Sequence, residues 1–206
     1  MTRNEPARRQ PGPGDAVEGV ADRLLNTACE LFYREGIHAV GIQRLIEEAG
    51  IAKASLYAHY ASKDDVVAAY LARRSAMQRA QVDEAFAGAT TPESKLAALW
   101  ELVGNWTACD QFRGCPFQNA AGELAADAHP AKAVIAGHYT WLRNVLDTLA
   151  KEAGADDPVR LGGALLALLN GASARALAER RREPIDDTLW AAEQLLSRPT
   201  ARKPEM

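Results

Sequence analysis

Lys53, Ser55, Tyr57 and His59 fall at alternate positions in one short segment, and each side chain can donate a hydrogen bond. Nothing in the spacing suits bond-breaking chemistry, but donors crowded onto one short helix suit base edges and phosphate oxygens. Leu56 and Tyr60 alternate with them as apolar anchors. The chemistry on offer is recognition of nucleic acid.

The elements that would position these residues can be read on either side. Ile42, Leu45, Ile46 and Ala49 share one face of a short helix. Gly50 follows where a tight turn needs a residue tolerant of positive φ, and Ile51 can plug the angle before a second helix from Lys53 to Tyr60. Ser62 and Asp65 then make a capping-box-like start to a long helix reaching about Phe86. The segment Gly41 to Tyr60 therefore reads as a helix-turn-helix, whose second helix enters a DNA major groove.

The rest of the chain is read as helical. Val20, Leu24, Ala28, Leu31 and Phe32 form a first amphipathic helix closed by Gly36, with Ile37 as the contact after the glycine cap. Beyond residue 90, prolines mark helix starts. Pro92 opens a helix to about Cys109, Pro116 one to about Ala126, Pro130 one to about Ala153, Pro158 one to about Arg181, and Pro184 the last, to about Ser197. Period-2 alternation and Asn-Gly hairpin turns are absent. The expectation is an all-α protein of about nine helices.

Composition is that of an ordinary globular chain: 206 residues, 48% hydrophobic, 25% charged. No uninterrupted apolar run approaches the roughly 20 residues of a membrane span, and the basic, Pro/Gly-rich N-terminus lacks the apolar stretch of a signal peptide. Three cysteines argue against a disulfide framework and for the cytoplasm. The net charge is −3; residues 1–74 carry ten basic and ten acidic side chains, so DNA contact rests on placed side chains rather than a basic field. Residues 1–14 read as a disordered tail. Arg3, Arg8 and Arg9 are most simply solvated there, with a minor-groove arm as the sharper reading.

The stretch LGGALLALL, Leu161 to Leu169, is apolar all round, which implies a second buried face and hence a partner. Gly162, Gly163, Ala164, Ala167 and Gly171 would permit close helix approach, and Ile185, Leu189, Ala192 and Leu196 make a comparable stripe on the last helix. Helices of about 158–181 and 184–197 from each of two chains would form a four-helix homodimer interface.

The core Ala49, Gly50, Ile51, Leu56, Tyr57, His59, Tyr60, Ser62, Lys63 resembles the N-terminal domain of TetR-family transcriptional regulators, and the helix order extends the resemblance over nearly the whole chain. The segment RGCPFQNAAGEL, Arg113 to Leu124, resembles a motif recurring in one subset of that family. The resemblance implies a dimeric, ligand-responsive regulator, in most cases a repressor of a palindromic operator. It divides the chain into a DNA-binding domain, 15–70, and an effector-binding and dimerisation domain, 71–200, with a tail at 201–206. It implies DNA contacts at Gln43, Arg44, Lys53, Ala54, Ser55, Tyr57, His59 and Lys63. Tyr57 and Lys63 would hold phosphates, and Lys53 and Ser55 base edges. Gly41 and Ala52 replace the usual capping Ser or Thr, and Ala58 and Ala61 also depart from the pattern.

The expected effector pocket is apolar and aromatic, with Trp100, Trp106, Phe112, Phe117, Tyr139 and Trp141 as walls and Gln118, Asn119 and His138 as orienting groups. Core packing is the plainer role for each aromatic taken singly. Cys109 and Cys115 flank Arg113, which would favour a thiolate and a redox- or electrophile-sensing regulator as the alternative. Glu123, Asp127, His129 and His138 have no diagnostic ligand spacing, so no metal is expected, nor any cofactor. No phosphate loop, G-x-S-x-G or H-E-x-x-H motif supports an enzyme. A helical adaptor that has lost DNA binding is disfavoured by Lys53, Tyr57 and Lys63 lying together.

Overall fold

Glycine caps and proline starts divide the chain much as the sequence predicts. The computed structural model describes residues 19–124 and 128–197. Within them lie α1 (Val20–Glu35), α2 (Ile42–Ala49), α3 (Lys53–His59), α4 (Lys63–Ala87), α5 (Pro92–Thr107), α6 (Pro116–Glu123), α7 (Ala131–Glu152), α8 (Pro158–Glu179) and α9 (Glu183–Leu196). No strand occurs among the described residues, so the fold is all-α. The readings of the two tails and of Arg3, Arg8 and Arg9 lie outside the described residues; α6 ends at Glu123, short of the expected Ala126, because Leu124 is extended.

Gly50 adopts the left-handed conformation, φ 61° and ψ 39°, and its N–H bonds back to the Glu47 and Ile46 carbonyls. The Ile51 N–H also returns to the Ile46 carbonyl, a Schellman closure that sets the angle between α2 and α3. At α4 the Ser62 hydroxyl accepts the Asp65 N–H. The one reciprocal capping box among the described residues is at α5, between Thr91 and Ser94, and sequence reasoning missed it. α2 and α3 begin at Gly41 and Ala52 with no side-chain cap, so tertiary packing must hold them.

Two apolar cores result. The first joins α1–α3 and the start of α4 (Val66, Val67, Tyr70, Leu71) to Phe117, Ala120 and Leu124 of the α6 segment and to Ala131 and Ile135 of α7. The second joins Val82 of α4 to α5, the later part of α7, α8 and α9. Helices α4 and α7 thus belong to both.

Helix α8 qualifies the membrane expectation. It is 22 residues long with a mean hydropathy of 1.3 in its best window, enough to cross a membrane by length and composition alone. Gly162, Leu165, Leu169, Ala172 and Ala176 are nevertheless buried within this chain, as in the core helix of a bundle.

Two parts of the interface reading need correction. Ile185, Ala192 and Leu196 are at most 5% exposed and belong to this chain's own second core, with Leu189 packed beside them. That stripe faces α5 and α8, not a partner. Gly162 and Gly163 lie against Asp147 and Arg143 of α7, so their smallness serves contact within the chain. The faces left open carry Ala164, Ala167, Gly171 and Ala174 on α8 and Trp190 on α9, which is 65% exposed.

Candidate nucleic-acid interface and body cavity

Helix α3 turns Leu56 fully into the core while Lys53, Ala54, Tyr57 and His59 stand exposed and Ser55 is half-buried. The expected contact residues of α3 are therefore accessible to a partner, Ser55 in part, while others are engaged by neighbours. The Gln43 amide donates to Glu47 at 2.9 Å. Arg44 makes a two-pronged pair with Glu35 and lies 3.9 Å from Glu48. Those hydrogen bonds hold the Glu35 carboxyl below its ordinary range.

Lys63 departs most from expectation. Its ammonium donates to the Ile37 carbonyl at 2.6 Å and sits 6.0 Å from the centroid of Phe32. Partial burial lowers its pKa. It ties the start of α4 to the turn between α1 and α2.

A cavity of about 340 Å³ opens in the body, within the size range of small-molecule sites. Its walls include Trp106, Phe112, Leu142 and Leu169, with Arg74, Gln78 and Gln81 on the α4 side. Helix α4 thus follows α3 across a three-residue link and supplies a wall of the cavity farther along.

Residues 24–70 match the family model described as bacterial regulatory proteins, tetR family. The chain superposes on the crystal structure of SCO4454, a TetR-family transcriptional regulator from Streptomyces coelicolor, with a TM-score of 0.82 and 33% identity. The match covers 87% of this chain and 96% of that one. The chain belongs to the TetR family of transcriptional regulators. A second TetR-type structure, from Streptomyces avermitilis, is 31% identical with a TM-score of 0.73, over 85% and 98% of the two chains. The transcriptional regulator AcuR of Cereibacter sphaeroides is 25% identical over 88% of this chain and 87% of its own length. Family and fold are those of DNA-binding transcription factors.

Seen as a TetR-family body, the cavity takes in only part of the expected pocket. Trp106, Phe112, His138 and Tyr139 line it. Trp100 does not: it is fully buried between α5 and α9, its indole N–H donating to the Thr188 hydroxyl at 3.1 Å. Phe117 is also fully buried, stacked against His138, and Trp141 lies beside His138 under the Arg79 guanidinium, 4.8 Å away. The Asn119 amide donates to the Arg113 carbonyl at 2.7 Å, closing the loop before α6. Gln118, half-buried, is not in the wall. Helical phase decides these fates, because aromatic content says nothing about which neighbour a face meets.

Sequence reasoning missed Tyr33, Arg74, Gln78, Gln81, Asn170 and Ser173 in the wall. A signal existed. Arg74, Gln78 and Gln81 share an i, i+4, i+7 face, and Asn170 interrupts an otherwise apolar helix.

Cys109 and Cys115 both line the cavity. Burial raises the Cys115 thiol, against opposing hydrogen bonds from the Gln118 and Phe117 backbone and Tyr139. Desolvation thus works against a thiolate at Cys115. The other ligand-type residues are drawn apart. Glu123 accepts the His38 N–H at 2.8 Å, and His129 lies 3.4 Å from Asp64 and accepts the Ala131 N–H. His138 bonds to Ser75. Asp127 lies outside the described residues.

The segment Arg113–Leu124 grips the DNA-binding head. The Tyr33 hydroxyl donates to the Gly114 carbonyl at 3.1 Å and accepts the Arg113 N–H at 3.0 Å. The His38 ring Nε2 lies 2.7 Å from the Glu123 carbonyl, which can only accept, so that nitrogen carries the proton.

Proposed function

We propose that this chain is a homodimeric, ligand-responsive regulator, a repressor released from a palindromic operator when a small molecule enters the cavity. One observation carries the proposal. Helix α4 begins directly after the candidate recognition helix and also walls the cavity with Arg74, Met77, Gln78 and Gln81. A ligand that favours one tilt of α4 favours one separation of the two heads, and two-fold operators require half-sites about 34–36 Å apart.

In this reading residues 15–70 form the DNA-binding domain and 71–200 the effector-binding and dimerisation domain, acting in the cytoplasm. Lys53 and Ser55 read base edges, Tyr57 and Lys63 hold phosphates, and Gln43, Arg44, Ala54 and His59 flank them. The exposed small residues of α8 and Trp190 of α9 support pairing with a second copy. Burying them against a two-fold mate removes an apolar surface from water.

The test is fluorescence anisotropy on DNA flanking the protein's own gene, against scrambled DNA, at several salt concentrations. Specific binding that falls steeply as salt rises is expected. Equal weak binding to both DNAs, together with no enriched site in a genome-wide selection, would refute the reading.

A second reading rests on Cys109 and Cys115 sharing the cavity wall: modification of a thiol, rather than reversible binding, releases the operator. Replacing both by Ser separates the two. A thiol sensor loses its response to N-ethylmaleimide, whereas a reversible sensor keeps its response to its ligand.

A further inference from the structure

Among the described residues the cavity wall contains one side chain with a fixed charge, Arg74, and no Asp or Glu. No salt bridge to Arg74 is found among the described residues, whereas its neighbour Arg73 pairs with Asp22 at 3.7 Å. The Arg74 guanidinium lies 4.7 Å from the Tyr33 ring centroid and 5.9 Å from that of Tyr70. One N–H reaches the Cys29 carbonyl at 3.2 Å, and its buried Nε has no hydrogen-bond partner among the described residues. A guanidinium has five N–H donors in a planar fork suited to carboxylate or sulfonate. This one is half-buried, held over aromatic rings, and has no ion-pair partner among the described residues.

The remainder of the wall limits the ligand further. Gln78 and Asn170 offer side-chain amides with no hydrogen bond among the described residues, while Trp106, Phe112 and Leu142 supply an apolar surface. An inorganic anion would leave that surface uncovered. A neutral hydrophobe would leave the guanidinium uncompensated in a partly desolvated site, where opposite charges attract more strongly than in water.

We propose that the cavity takes an amphipathic monoanion, its carboxylate or sulfonate paired with Arg74 and its apolar body against Trp106, Phe112 and Leu142. This rests on the reading of the cavity as the effector site and names the chemical class of the effector.

Anilinonaphthalene sulfonate and phenylnaphthylamine share an aromatic skeleton and differ in the charged group, so they form a matched pair of fluorescent probes. Titrated into the full-length protein, the sulfonate binds about tenfold or more tighter than the neutral probe. Arg74→Met abolishes that preference by weakening binding of the sulfonate; Arg74→Lys, which keeps the charge, retains part of it. Leu142→Trp, which fills the cavity, displaces both probes. Circular dichroism melts check that each variant folds, and Arg74→Lys carries the comparison if Arg74→Met does not. Equal binding of the two probes, an undiminished preference in Arg74→Met, or binding that survives Leu142→Trp overturns the proposal. If only the neutral probe enters the cavity, the anion assignment fails and the effector reading stands. If neither binds, both fail.

Discussion

The imidazole of His138 lies flat against the ring of Phe117, with centroids 3.6 Å apart and planes 6° from parallel. Its Nδ1 is 3.1 Å from the Ser75 hydroxyl, so one side chain of α7 joins α6 to α4 at the edge of the cavity. Only 3% of His138 is exposed. Burial, with a smaller contribution from the Arg79 charge, pushes its pKa down from 6.5 to about 4.

That depression makes stability depend on pH. The unfolded chain takes up a proton at His138 near pH 6.5, and the folded chain only near pH 4, so acid favours unfolding. The contribution is complete above pH 6.5 and is lost progressively down to about pH 4. In total it amounts to roughly 3 kcal/mol, of which about 2 kcal/mol goes by pH 5. Urea unfolding of wild type and His138→Gln at pH 7 and pH 5 measures it. The variant should lose less stability between the two values, and parallel losses would show that His138 is not the group responsible.

Gly162→Ala should destabilise the body. The added methyl would lie 1.9 Å from Asp147 Oδ1 and 2.8 Å from its backbone nitrogen. Asp147 cannot simply swing away, because Arg143 holds it at 2.7 Å. α7 and α8 must separate, at a cost of about 1–3 kcal/mol. Gly137→Ala on α7 is the control, since a methyl there meets nothing within 4 Å and lies away from the proposed partner face. Thermal melts should show a lower Tm for the first substitution and not for the second.

What was legible in the sequence was local. Gly36 and Gly50 end helices because their positive φ of 95° and 61° suits no side chain well, and Pro92, Pro116 and Pro158 start them. The Lys53–Tyr57 surface was also legible, because amphipathic spacing alone sets it. What a face meets was not legible. The α9 stripe of Ile185, Ala192 and Leu196 has the same periodicity whether it packs on its own α5 and α8 or on another chain. Trp100 looks like Trp106 in sequence, yet one is core and the other cavity wall. Lys63 turns toward Ile37 only because the α1–α2 loop brings a carbonyl there.

The proposed interface separates two substitutions on one helix. Trp190→Glu places a charge on the open face of α9 and should weaken dimerisation about thirtyfold or more, as loss of a central aromatic contact does. The monomer's Tm should be nearly unchanged. Ile185→Ala removes buried methyl groups from the second core and should instead cost about 2–5 kcal/mol of folding stability. Sedimentation velocity and thermal melts read the two effects. A Trp190→Glu protein that remains as dimeric as wild type would place the partner surface elsewhere.

The head offers a sharper contrast between recognition and stability. Lys53 is exposed, with no hydrogen bond or ion pair among the described residues, whereas Lys63 anchors the Ile37 carbonyl. Lys53→Ala should therefore leave the Tm unchanged while reducing operator affinity by about 1–3 kcal/mol and relaxing preference at one base pair. Lys63→Ala should lower both Tm and affinity, because it loses a structural hydrogen bond together with a positive charge near the phosphates. Tyr57→Phe removes one hydroxyl and should weaken all DNA sequences alike, without altering the salt dependence, since no charge is lost. Anisotropy titrations on the operator and on single-base variants distinguish the three. If Lys53→Ala weakens every sequence equally and flattens the salt dependence, Lys53 is a phosphate contact, and base reading must fall to Ser55 and His59.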